Sequence, residues 1–126
     1  LVGENAKSLE MEKEFVWQKL SQIVREYSVM ECDRCAIAVS NWLRDNDIPF
    51  KILRLRTKRR SEFFIVSNRY GMNDAITENG THYGVEVYGL VFDNLSEEGL
   101  SKDEWIKDFN CRTGKFIVDE LDSLGG

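Results

Sequence analysis

Histidine and proline are almost missing from this sequence, and so is any long apolar run. His82 is the only histidine and Pro49 the only proline. One histidine leaves one candidate for imidazole chemistry. No apolar stretch approaches the roughly 20 residues of a membrane span, and no signal peptide opens the chain. Cysteine is scarce and odd in number. Three thiols, Cys32, Cys35 and Cys111, cannot all pair internally, which points to a reduced, cytosolic working environment. A four-ligand zinc site would need all three cysteines and His82 together. No initiator Met precedes Leu1-Val2-Gly3-Glu4-Asn5, so the start reads as a cut from a longer protein. Internal repeats and low-complexity segments are absent.

What is present suffices for one domain with a core. Of 126 residues, 42% are apolar and 31% charged. The net charge of −5 argues against a nucleic-acid binder. That charge is uneven. From Lys51 to Arg60, six of ten residues are Lys or Arg, while Asp93–Asp108 carries six carboxylates against two lysines. Such polarity suggests two different faces; two solvated loops would look the same.

Residues 1–7 read as a linker and 8–126 as a single domain. The first helix is predicted over Ser8–Tyr27, with Val16, Leu20, Ile23, Val24 and Tyr27 as its apolar stripe. The second is predicted over Asp33–Arg44. There Cys35, Ala38, Val39, Trp42 and Leu43 fall on one face, so Cys35 lies on the buried stripe in the first turn. Asp45-Asn46-Asp47 ends this helix, and Pro49 starts the next segment. Residues 50–94 read as strands and turns. Lys51–Arg56 alternates Leu53 and Leu55 against Arg54 and Arg56. Phe63–Val66 reads as a short strand, Asn68-Arg69-Tyr70-Gly71 as a turn, and Asn79-Gly80 as a two-residue hairpin loop. Thr81–Tyr88 and Leu90–Asn94 read as an antiparallel pair. Ser101-Lys102-Asp103-Glu104 is a capping box opening a third helix to about Phe109. Lys115–Leu121 reads as a last strand and Gly125-Gly126 as a tail.

Within that frame, three residues have the chemistry of a thiol nucleophile site: Cys35, His82 and Asp93. A thiol attacks only as thiolate, and a helix N-terminus with free N–H groups favours the anion. A two-residue turn at Tyr88-Gly89 would pair Val87 with Leu90 and Val85 with Phe92. His82, Glu86, Val91 and Asp93 then share one face of the ribbon, and Val85, Val87, Leu90 and Phe92 the other. His82 and Asp93 become diagonal neighbours within hydrogen-bonding reach; a one-residue slip would separate them. Each part also has a plain structural reading: a buried Cys is often a small hydrophobe, and Asp93-Asn94 could simply end a strand. Cys32-x-x-Cys35 could also serve as a dithiol.

The series Cys35-Ala36-Ile37-Ala38-Val39, Trp42-Leu43, Ile48-Pro49, Asn79-Gly80-Thr81-His82-Tyr83-Gly84-Val85-Glu86-Val87, Val91-Phe92-Asp93-Asn94, Glu98-Gly99-Leu100 and Glu104-Trp105 resembles the papain-fold toxin domains of bacterial polymorphic toxin and contact-dependent inhibition systems. The likeness spans roughly residues 20–120. It implies an α+β, papain-like fold with the cysteine on a central helix packed against an antiparallel sheet. It also implies Cys35 as nucleophile, His82 as general base and acid, and Asp93 as the orienting group, with Cys32 outside the catalytic set. The backbone N–H of Cys35 is the expected first oxyanion donor. No metal or organic cofactor is implied. The implied partners are a protein substrate in the target cell, met in its cytoplasm after delivery on a larger secreted or surface protein, and a cognate immunity protein. The expected reaction is attack on an amide, as a peptidase or as a glutamine deamidase or transglutaminase. Two rivals stand beside it: a nuclease toxin using His82 and the basic run Lys51–Arg60, and a non-catalytic interaction domain on the same scaffold.

Overall fold

The computed structural model describes the backbone of residues 2–124 and the side chains of residues 12–124. The tail residues Gly125-Gly126 lie outside the described residues. Two helices come first, α1 (Val2–Val24) and α2 (Cys32–Asp45). Strands β1 (Lys51–Thr57), β2 (Val66–Ser67), β3 (Thr81–Val87), β4 (Leu90–Asp93) and β5 (Ser96–Leu100) follow, then helix α3 (Lys102–Lys107) and strands β6 (Phe109–Asn110) and β7 (Phe116–Leu121). Five strands form one antiparallel sheet in the order β5-β4-β3-β1-β7, while β2 and β6 make a separate ribbon. This is a mixed helix-and-antiparallel-sheet architecture, as the sequence predicts.

The sheet has a buried layer on each face. Val16, Leu20 and Val24 of α1 and Cys35, Val39 and Leu43 of α2 pack against Ile52, Val85, Val87 and Phe92. On the opposite face, Leu53, Leu55 and Val91 meet Trp105, Phe109, Ile65 and Ile76. The period of two along β1 sends Ile52 one way and Leu53 and Leu55 the other. Gly84 lets Trp105 approach β3 closely. A Cβ there would lie 2.9 Å from the indole and 2.7 Å from Val91.

The β3–β4 hairpin has the predicted register, Val85↔Phe92 and Val87↔Leu90. Tyr88 and Gly89 both have positive φ, 50° and 86°, the twist that a two-residue hairpin favours. The Ser101 hydroxyl accepts from the Glu104 N–H and opens α3 as the capping box predicts, although the helix ends at Lys107. Asn79-Gly80 is not a two-residue hairpin. Thr77 bridges Ile65, and β3 pairs with β1 instead. The Asn79 side chain ties Thr77 to Thr81, and Gly80 hydrogen-bonds Phe63 and Thr57, so the segment crosses from one partner to another. Helix α1 takes in residues 2–7, which read as linker, and stops at Val24 rather than Tyr27. The predicted strand Phe63–Val66 shrinks to Val66–Ser67. Strand β5 was unexpected, because Ser-Glu-Glu-Gly has little strand propensity; it is an edge strand held by β4. Among the described residues, no helix is long and apolar enough to cross a membrane.

Candidate active site

His82 lies on β3 and Asp93 ends β4, and the hairpin register brings them together. His82 Nε2 donates to Asp93 Oδ2 at 2.9 Å, with both side chains fully buried. Asp93 is the centre of a larger network. Its Oδ2 also accepts from Trp105 Nε1 at 2.9 Å, and its Oδ1 from the Leu95 N–H at 3.1 Å. Arg69 grips both oxygens, Nη1 to Oδ1 at 3.0 Å and Nη2 to Oδ2 at 2.8 Å. The same guanidinium donates from Nε to Asp108 at 2.8 Å and from Nη1 to Ser96 at 2.8 Å. Burial alone would raise the Asp93 pKa. The bonds from His82 and Arg69 outweigh it and hold this carboxyl well below the usual carboxylate range. A paired fork of this kind is the strongest hydrogen-bonding geometry available to a carboxylate.

For His82, burial disfavours the charged ring. The bond to Asp93 and the neighbouring Cys32 thiol overcome that, and the pKa is pushed up to about 9. The ring lies between aromatic walls, with Trp105 stacked at 6.0 Å and Phe109 tilted at 4.9 Å between centroids. Nε2 is fixed on Asp93, so Nδ1 is the nitrogen left for a reacting group. It is buried and has no hydrogen-bond partner.

The sulfur that acts on His82 is Cys32, not Cys35. Cys32 is the first residue of α2 and is 6% exposed. Its Sγ has a long contact of 4.0 Å to the Thr81 carbonyl, one residue before His82. The thiol stands beside the imidazole without closing a short bond, close enough to raise its proton affinity. Cys35 is one turn deeper, 1% exposed, in the apolar layer with Val39, Leu43 and Val85. Burial, and then the negative Asp93, push its thiol up to about 12. Of the two thiols, Cys32 is the one beside His82, while Cys35, the better match to the buried stripe, packs in the apolar layer. The Cys35 N–H is also unsuited as oxyanion donor, since it donates to the Glu31 carbonyl at 2.9 Å. The open donors belong to the first turn. Glu31, at the N-cap, makes no capping bond with its side chain, which takes the Ser28 N–H and hydroxyl instead.

Arg69, Asp108 and Ser96 carry no local signal of their roles. Arg69 reads as a turn residue, and its carboxylate partners lie 24 and 39 positions away. Trp105 could have been singled out as the one aromatic in the capped helix. The basic run is divided: Lys51 pairs with Glu120, and Arg54 and Arg56 with Asp119. Among the described residues, no group of three or more His, Cys, Asp and Glu side chains is placed to hold a metal ion.

A family model described as papain fold toxin 2 matches residues 15–110. Comparisons with curated proteins and with solved structures return no match. The matched span takes in all of α2, strands β1 to β6 and every residue of the His82 network, and the chain belongs to this papain fold toxin family.

Proposed function

We propose that this toxin domain attacks an amide carbonyl through the Cys32 thiol, with His82 as general base and acid and Asp93 as the group that orients it. The observation that supports this reading is a thiol at a helix N-terminus beside an imidazole whose far nitrogen is bound to a carboxylate held well below its usual pKa. The proton of Cys32 rests on Nδ1 of the protonated His82 as a thiolate–imidazolium pair, and the thiolate adds to the carbonyl carbon. The oxyanion is received by the free N–H groups of the first turn of α2, that of Cys32 foremost. The C–N bond then breaks, His82 returns the proton to the leaving amine, and a thioester remains. Water, deprotonated by His82, releases the acid; a second amine in its place would complete a transfer. Arg69 and Trp105 act through Asp93, holding it ionised and fixed.

In the cell, the domain is delivered into a target bacterium on a larger protein, inhibits its growth from the cytoplasm, and is silenced in its maker by an immunity protein. Expression of variants tests the core of this reading. Cys32→Ala and His82→Ala should abolish growth inhibition, and Cys35→Ala should retain it. Mass spectrometry of the intoxicated proteome then separates the reactions: new termini mean a peptidase, and a mass shift at glutamine means a deamidase. Full inhibition by a folded Cys32→Ala variant would overturn the thiol reading.

A further inference from the structure

The fold sorts the basic run into two groups. Lys51, Arg54 and Arg56 are consumed by carboxylates of β7 at 2.9–3.1 Å. Lys58, Arg59 and Arg60 lie just past the end of β1, are exposed, and have no ion pair among the described residues. They line a groove of about 460 Å³ whose floor is Asn79-Gly80-Thr81. A second hollow of about 440 Å³ shares Lys58 and Arg59 and adds the exposed Lys115. The one carboxylate on the groove wall, Glu62, is already bound by the Thr113 N–H and hydroxyl. The floor is rigid. Gly80 donates to Phe63 at 2.8 Å and accepts from Thr57 at 3.0 Å, and a Cβ on it would lie 2.6 Å from the Glu62 carbonyl.

This groove and the surroundings of the thiol share Thr81, which lines the groove and whose carbonyl is the contact of Cys32 Sγ. We propose that the groove is the substrate's approach to Cys32 and that it takes a polypeptide segment carrying carboxylates beside the target amide. The proposal rests on Cys32 as nucleophile. Three unpaired cations around a rigid floor favour an anionic ligand. The chain as a whole is acidic at −5 in spite of them, which disfavours a long polyanion extending past the groove. Thiol chemistry at an amide also calls for a polypeptide rather than RNA.

The test uses the whole chain and two labelled probes, a Glu/Gly peptide and an oligo(U) RNA of matched charge. Wild type should bind the peptide, more weakly as salt rises. Lys58→Glu/Arg59→Glu/Arg60→Glu should bind it at least about tenfold more weakly. Arg59→Gln/Arg60→Gln, a milder variant, should show a smaller loss in the same direction if the triple variant fails to fold. The bound peptide should slow alkylation of Cys32 by iodoacetamide in wild type and not in the folded variants. Equal peptide binding by all proteins, peptide binding that leaves Cys32 unprotected, or tighter binding of oligo(U) than of peptide would each overturn the proposal. Alkylation confined to Cys35, with peptide binding still charge-dependent, would instead overturn the Cys32 reading and with it the groove's link to the thiol.

Discussion

The two faces of the central sheet bury opposite chemistry. Toward α1 and α2 the layer is hydrocarbon, with Cys35 as its one thiol. Toward α3 and β6, the same sheet buries His82, Asp93 and Asp108 among Leu53, Leu55, Trp105 and Phe109, with Arg69 as the shared cation. Burial therefore has two consequences in one small domain. On the apolar face it raises the pKa of a thiol, Cys35, with the negative Asp93 adding to the shift. On the polar face it strengthens a network in which each charge has a partner. Cys32 opens α2 beside the first residue of β3, on the helix of one face and beside the histidine of the other.

The contrast is broken most severely at Arg69. Arg69→Met leaves Asp93 and Asp108 buried without their cation and should cost about 3–5 kcal/mol in urea denaturation. A loss no greater than that of a surface pair would mean that the carboxylates are hydrated or protonated rather than locked.

The pH dependence of stability is the next effect. The folded pKa of His82 is raised, so its contribution is fully present below 6.5 and is lost as pH rises through about 9. That of Asp93 is depressed, so its contribution is present above 3.8 and fades as pH falls toward the folded value. Denaturation midpoints should thus be highest between these limits. His82→Gln should flatten the arm between pH 6.5 and 9; an unchanged arm would separate His82 from Asp93.

Cys35→Ala probes the apolar face. It removes a small buried group and should cost about 1 kcal/mol, with growth inhibition kept. The smallest effect belongs to Arg54, half-buried in an ion pair with Asp119. Arg54→Ala should cost under about 1 kcal/mol, and less at high salt.

The sequence made one half of this contrast legible and hid the other. Strict alternation and the Tyr88-Gly89 turn specify the register, and the register alone puts His82 beside Asp93. Helical spacing likewise identifies Cys35, Val39 and Leu43 of the buried stripe of α2, though Ala38 and Trp42 are only half-buried. The same spacing does not mark the thiol that lies beside His82. A stripe ranks residues by burial, so it selects Cys35, whereas the thiol beside the histidine is Cys32, at the start of α2 and next to the first residue of β3. Arg69 was hidden for a different reason: its partners come from β4 and from the end of α3, and only the tertiary fold unites them. Strand β5 escaped because pairing with β4, not propensity, makes it a strand.

The central claim is that Cys32, activated by His82, is the reactive thiol. The most direct test is alkylation with limiting iodoacetamide across a range of pH, with the modified residue located by mass spectrometry in wild type and in His82→Ala. Preferential modification of Cys32, markedly slower in His82→Ala, is the predicted result. Preferential modification of Cys35, or a Cys32 profile unchanged by loss of His82, would contradict it.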